Sequence, residues 1–414
     1  METLPIQPWM TRSATLKVMN ALAAAGGAEC ARFVGGCVRN AVLCRPVSDI
    51  DIATTLTPDA VAAALVAAGL KSVPTGLAHG TLTAVAEGQP FEITTLRRDV
   101  ETDGRHAMVA FTDDWGEDAA RRDFRLNALY ADLEGRIFDP TGGGLADARA
   151  GAIVFVGDPA ERISEDALRI LRFFRFRAWY GRGEPDADAL AACHALRETI
   201  TSLSAERVGK EMLTLLAAED PREAVSLMAR TGVLTLTIPA AGGLARFQSL
   251  VAIETGILFT EDALLRLAAL LPDAAAGLAT AERLRLSKAE RDRLVAALGT
   301  EPRLVSWMSP RQARQLVYRL GPRAFCDRAM LAWAASERPA ATVQWRALLP
   351  MGESWPIPRL PLDGGEVIAS GVPPGPLVGA VLREVEDWWM ENDFTADKLS
   401  VVERLKAVVQ GMVY

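Results

Sequence analysis

Strand-forming signals in this 414-residue chain are confined to roughly the first 150 residues, and that division limits its folding choices more than any other feature. Ala14–Ala25 is an Ala/Leu-rich helical run that stops at Gly26-Gly27. Arg32-Phe33-Val34 reads as a short strand, followed by Gly35-Gly36 and a helix near Val38–Leu43. Asp49–Ala53 is a second short strand. Thr57 and Pro58 open another helix as N-cap and first helical residue. Gly80–Glu87 and Phe91–Leu96 are β-rich runs across Gly88-Gln89-Pro90, a hairpin pattern. Residues 97–119 are polar and aperiodic and predict a loop. Ile137–Pro140 is a strand that ends in the turn Thr141–Gly144. Beyond about residue 150, helical runs dominate, broken at Gly181-Arg182-Gly183, Gly242-Gly243, Pro302, Gly321-Pro322 and the Pro-rich stretch 350–376. The expected fold class is α+β: an N-terminal head with a mixed β-sheet and helices, then an all-α remainder.

Composition narrows the function classes. Half the residues are apolar and 23% are charged, so the chain has ample material for a core. The net charge of −7 argues against a protein that coats nucleic acid through its overall field, but leaves room for a local basic site. Only six of the 45 basic residues are lysines; the rest are arginines, which fork onto phosphates and base edges. The five cysteines (30, 37, 44, 193, 326) form no CxxC pair and are expected to be small buried side chains. Neither a signal-peptide layout nor a membrane-length apolar run is present, which predicts a reduced, cytoplasmic protein.

Three segments carry chemistry. Phe33-Val34-Gly35-Gly36-Cys37-Val38-Arg39 is followed ten residues later by Asp49-Ile50-Asp51. A glycine pair after a strand lets backbone N–H groups approach a phosphate, with Arg39 nearby on the first helical turn. Asp49 and Asp51 lie two apart on the expected strand, on one face. Alone they would read as a solvated strand face; beside the glycine pair they read as a Mg²⁺ site with open positions for substrate. Glu92, on the hairpin's second arm, is either a third carboxylate or an outward-facing strand residue. The second segment is Arg121-Arg122-Asp123-Phe124-Arg125-Leu126-Asn127-Ala128, in which Asp123 and Asn127 share a face if it is helical. The third is Glu165-Asp166-Ala167-Leu168-Arg169-Ile170-Leu171-Arg172-Phe173-Phe174-Arg175. Five arginines from 169 to 182 have no acidic residue among them, a locally positive patch.

An Asp166/Arg169 pair suits base reading. Cytosine and adenine each present an amino donor beside a ring-nitrogen acceptor. A carboxylate accepts from the first and a guanidinium donates to the second. Uracil and guanine would face the carboxylate with a carbonyl oxygen. Such a pair accepts CTP and ATP and rejects UTP and GTP without a template.

In order and spacing the three segments resemble the signature motifs of the class II tRNA nucleotidyltransferase/poly(A) polymerase family, which includes the bacterial CCA-adding enzymes. The resemblance covers about residues 25–200, with a looser likeness from Gly375 to Trp389. The turn at Asp139-Pro140 resembles a further motif of that family. The resemblance implies a nucleotidyltransferase head over 1–150, a helical neck over 151–235, a body over 236–350 and a tRNA-binding tail over 351–414. It implies that Asp49 and Asp51 bind Mg²⁺; Glu92, a candidate third catalytic carboxylate from its place on the hairpin, stays open between that role and an outward-facing strand residue. Gly35, Gly36, Arg39, Arg122, Arg172 and Arg175 would hold the triphosphate, with Asp123 and Asn127 near ribose and phosphate. Asp166 and Arg169 would read the base, and residues 97–113 would form a flexible loop. Asn40 departs from the family, many of whose members have Asp there.

The implied activity is addition of CCA to tRNA 3′ ends from CTP and ATP, with pyrophosphate released. Expected partners are the 3′ end and acceptor arm of tRNA, with neither membrane nor DNA. A poly(A) polymerase or a CC-only or A-only enzyme shares the same motifs. A non-catalytic tRNA-binding protein is a more distant alternative, opposed by the intact Asp49/Asp51 pair. A DxD glycosyltransferase would explain that pair but not the other two segments.

Overall fold

The first unit of the chain is built on a row of apolar side chains that crosses four strands of one sheet. In this computed structural model, residues 2–76, 80–103, 106–336 and 342–411 are described. The chain divides into two compact units, Met1–Pro239 and Ala240–Tyr414. The sheet of the first unit runs β3 (Lys71–Gly76), β4 (Thr81–Ala86), β5 (Gln89–Thr95), β2 (Asp51–Thr54), β1 (Ala31–Val34), β8 (Tyr130–Ala131), β9 (Ile137–Phe138). Only β2 and β5 pair in parallel; the other neighbours are antiparallel. Leu82, Ile93, Ile52 and Phe33 lie opposite one another in register and are all buried. Helices α1 (Ser13–Gly26) and α3 (Pro58–Ala67) pack together, burying Val18, Leu22, Val61 and Leu65. Alternation along each strand then dictates that the next row, Thr83, Glu92 and Asp51, faces the other way.

That second face carries the site. Helix α2 (Gly36–Val42) follows β1 through Gly35, whose φ of 69° lies in the left-handed region that glycine adopts without strain. Strand β2 starts at Asp51, so Asp49 lies just before the strand rather than within it, and it is exposed. The expected loop after residue 96 is instead a two-stranded hairpin, β6 (Arg97–Asp103) with β7 (His106–Phe111), followed by helix α4 (Trp115–Ala120). Charge hides the strand character of β6, and the apolar second arm supplies its ladder. Gly104 and Arg105 of that segment, and His79, lie outside the described residues.

Residues 121–128 are not a helix. Arg125–Asn127 form a single 3₁₀ turn after Phe124, which bridges to Phe155. The Phe124 ring sits among Phe155, Phe173 and Phe176, with centroids 4.8, 6.4 and 5.1 Å away. Phe173 and Phe176 belong to α7 (Leu168–Tyr180), so this aromatic cluster joins the second motif to the third. Helices α5 (Gly144–Ala150), α6 (Pro159–Glu165), α8 (Ala187–Ala195), α9 (Ala205–Leu216) and α10 (Arg222–Arg230) complete most of the unit. Helix α7 packs against α9 and α10.

Among its described residues the second unit has helices and no strand. Arg266, fully buried, donates to Glu254 at 2.5 Å. Val367, Val381, Val385, Trp389, Val401 and Leu405 form a core near its end. The helix Thr342–Ser354 runs through Pro350, where the sequence suggested a break. Of the cysteines, Cys30, Cys37 and Cys193 are buried, but Cys44 is exposed and Cys326 only partly covered. Among the described residues, no helix is long and apolar enough to cross a membrane.

Candidate active site

Glu92 stands directly across the parallel β2–β5 ladder from Asp51, which puts both side chains on the same face. Burial, then the charges of Glu92 and Asp49, push the Asp51 carboxyl up to about 6, against the opposing pull of Arg122. Glu92 and Asp49 thus act on Asp51 as nearby hard oxygen donors, a donor type that suits a divalent cation. Among the described residues, no group of three or more His, Cys, Asp or Glu side chains is assembled to hold a metal ion. The pair Asp49/Asp51 fits Mg²⁺, which needs only one or two protein carboxylates when water and phosphate oxygens fill the remaining positions.

Arg122 links this cluster to the rest of the site. A Cβ added at Gly35 would lie 3.7 Å from Arg122 Nη1, an ordinary contact, so the turn passes close beside the guanidinium and it is the positive φ that favours glycine there. Asp118 holds Arg122 in place. Its carboxylate, 1% exposed, accepts from Arg122 Nη2 at 2.9 Å, Arg121 Nη2 at 2.6 Å and the Tyr130 hydroxyl at 2.7 Å. Burial favours the neutral acid, but Arg122, Arg121 and Tyr130 outweigh it and hold Asp118 at about 2. Motif reading passed over Asp118. Its spacing of three and four residues before Arg121 and Arg122, on a helix that begins at Trp115, was the available signal.

A second network ties the motifs together. Buried Asp123 accepts from Asn127 Nδ2 at 3.1 Å and from Arg172 Nε at 2.8 Å. Desolvation opposes its charge, but Arg172 and Asn127 keep its carboxyl below the usual range. Asp123 and Asn127 thus meet as expected, through a 3₁₀ turn instead of a helix face. Arg39, buried on α2, donates to Asn127 Oδ1 at 2.5 Å, Asn40 Oδ1 at 2.9 Å and the Tyr180 hydroxyl at 2.7 Å. Its guanidinium also lies 4.1 Å from the Tyr180 ring centroid. A Cβ at Gly36 would come within 3.8 Å of the same guanidinium.

The expected positive patch is largely compensated from other elements. Arg169 pairs with Glu165 at 2.5 Å, Arg172 with Asp123, and Arg175 with buried Glu211 at 3.1 Å. The side chains of Asp166 and Arg169 are not bonded to each other, although the Arg169 N–H donates to the Asp166 backbone carbonyl at 2.9 Å. Asp166 Oδ2 accepts from Arg207 Nη2 at 2.7 Å, and Oδ1 from the Leu168 N–H at 3.0 Å. Both residues nevertheless line one cavity of about 290 Å³ with Arg122, Asp123, Arg172 and Arg207. Arg39 and Arg175 are elsewhere, lining a cavity of about 250 Å³ with Phe176, Trp179 and Tyr180. Nothing in the motifs pointed to Arg207, Glu211 or Tyr180. Their partners lie 36 to 141 residues away in sequence (Glu211 to Arg175, Arg207 to Asp166, Tyr180 to Arg39).

The larger cavity places guanidinium groups able to bind phosphates beside a carboxylate and a guanidinium able to read a base edge. Known proteins resemble the chain in sequence and in fold. Residues 31–154 match the family described as "Poly A polymerase head domain", and residues 184–242 match "Probable RNA and SrmB- binding site of polymerase A". The mouse protein named "CCA tRNA nucleotidyltransferase 1, mitochondrial" is 31% identical over 396 residues, 91% of this chain and 86% of the relative. The "CCA-adding enzyme" of Geobacillus thermodenitrificans is 40% identical over 207 residues, half of each chain. The crystal structure of the Bacillus stearothermophilus CCA-adding enzyme in complex with CTP superposes with a TM-score of 0.77 at 25% identity, covering 97% of this chain and 99% of that one.

Proposed function

The chain belongs to the CCA tRNA nucleotidyltransferase family, and on that premise we propose that it adds C, C and A to tRNA 3′ ends from CTP and ATP without a template. Its main support within the fold is the cavity where Asp166 and Arg169 lie beside Arg122 and Arg172. In this reading the triphosphate lies against Arg122 and Arg172, near the turn through Gly35-Gly36. Arg39 and Arg175, which line the other cavity, add positive charge from further off. Their guanidiniums offset the charge that builds on the leaving pyrophosphate as the tRNA 3′-hydroxyl attacks the α-phosphorus. Asp123 and Asn127, locked to Arg172 and Arg39, keep those guanidiniums aimed and bound ribose oriented.

Asp49 and Asp51 would hold Mg²⁺, with Glu92 beside them. When bound, the ion lowers the pKa of the attacking hydroxyl and neutralises phosphate charge. Asp166 accepts from the exocyclic amino group of cytosine or adenine, and Arg169 donates to the ring nitrogen. The helices after Ala240 supply the body (to 350) and the tail (351–414), which grip tRNA by its shape and backbone. A cytoplasmic setting completes the proposal, since tRNA and nucleoside triphosphates are held there.

The test uses the purified chain with Mg²⁺, a tRNA lacking its CCA end and an unstructured RNA. Each receives labelled CTP, ATP, UTP or GTP singly, then CTP with ATP. Three nucleotides added to tRNA alone, C before A, are expected. Long A tails on both RNAs would move the chain to the poly(A) polymerases, whose head domain it shares. Asp49→Ala should abolish incorporation and leave tRNA binding intact; retained incorporation refutes the metal assignment.

A further inference from the structure

We propose that Arg207 is a specificity-determining residue, which acts by fixing the rotation of the Asp166 carboxylate. This role rests on the reading of Asp166 as the base-reading group. Asp166 follows α6, and Arg207 lies 41 residues later on α9. The two oxygens of Asp166 are held from different directions. Leu168 N–H donates to Oδ1 at 3.0 Å, and Arg207 Nη2 donates to Oδ2 at 2.7 Å. Two donors from separate elements define the plane of the carboxylate. Each oxygen keeps a second lone pair for the amino group of a base.

Arg207 is placed at the wall of the site and not in the core. Its side chain is 48% exposed, and it lines the cavity with Asp166, Arg169 and Arg172. The neighbouring guanidiniums have other carboxylate partners: Arg169 has Glu165 and Arg172 has Asp123. The ion pair of Arg207 is made with Asp166 itself.

Discrimination is a difference between two affinities, and rejection is half of it. A fixed acceptor repels the carbonyl oxygen of uracil or guanine. An acceptor that swings aside lets the same carbonyl enter, while it can still turn back to accept from an amino group. Loss of Arg207 therefore weakens rejection more than acceptance.

The experiment compares kcat/KM for CTP and UTP on a tRNA lacking its CCA end, in the full chain. Arg207→Ala should lower the CTP-over-UTP ratio by about tenfold, mainly through better use of UTP. Arg207→Lys keeps a donor and should restore most of the ratio. A rate that falls equally for both nucleotides, with the ratio unchanged, overturns the proposal, because a merely structural role predicts that pattern. Should Arg207→Ala fail to fold, Arg207→Gln carries the same comparison with the side-chain bulk kept. Asp166→Ala separates the two layers. If it leaves the ratio at the wild-type value, base reading by Asp166 falls and the role of Arg207 falls with it. If Asp166→Ala loses the ratio while Arg207→Ala keeps it, only the role of Arg207 is refuted.

Discussion

Asp118→Asn removes one charge from the best-buried carboxylate of the site and leaves its shape almost unchanged. Asp118 is held at about 2 against a reference of 3.8. That difference corresponds to about 2 kcal/mol of stability from the ionised form, in proportion to 1.36 kcal/mol per unit. The side chain is 1% exposed, so solvent screening removes little of it. The sign follows from a depressed carboxyl: the contribution is complete above the unfolded value near 4 and disappears as pH falls through about 2. Asparagine also leaves Arg121 and Arg122 without a charged partner, a cost that acts in the same direction. Thermal unfolding at pH 7 should therefore show a loss of about 2–4 kcal/mol, seen as a fall of roughly 4–16 °C for a unit of this size. The gap between wild type and Asp118→Asn should narrow as the pH is lowered from 4 toward 2. Because Arg122 loses its clamp, KM for CTP should also rise by about tenfold. A variant that melts within about 1 °C of wild type at pH 7, or a gap that does not narrow in acid, refutes the view of Asp118 as an electrostatic hub.

Two further changes probe the carboxylate cluster and the second unit. In chelator, Glu92→Gln should stabilise the protein at pH 7 by about 1 kcal/mol, because it relieves the repulsion that helps raise Asp51 to about 6. The unfolded chain releases the Asp51 proton first as pH rises, so the gain should fade toward pH 4; a gain that persists there contradicts the assignment. In the second unit, Arg266→Met strands the buried Glu254, whose carboxyl burial already pushes up to about 7, and should cost about 3–5 kcal/mol in urea unfolding. The double variant with Glu254→Gln should recover much of that loss, and a single-variant cost below about 1 kcal/mol would speak against the pair.

The legible parts of this protein were those governed by short-range rules. Gly35 needs a positive φ after β1, Thr57 caps α3 with Pro58 behind it, and the alternation of β4 and β5 makes a hairpin. Spacing alone also brought out Gly35-Gly36, Asp49/Asp51 and the arginines of α7. The same reasoning failed where a segment takes its structure from a partner. Residues 97–103 were too charged to read as a strand until paired with 106–111. Whether residues 121–128 are helical was open in the sequence; Phe124, extended, fills the space between Phe155 and Phe176, and a 3₁₀ turn follows it.

The site divides in the same way. Which side chains carry charge, and in which order, was settled by the sequence, because motif spacing is a local property. Which charges meet was decided only in three dimensions. Glu92 faces Asp51 through the parallel register of β2 and β5, a choice open until the sheet order is set. Arg39 reaches Asn127 across 88 residues, Arg172 reaches Asp123 across 49, and Arg207 reaches Asp166 across 41. Ion pairs act over a few ångströms of space and carry no imprint of chain distance, so the packing of α7 against α9 and of Phe124 against Phe173 and Phe176 selects them.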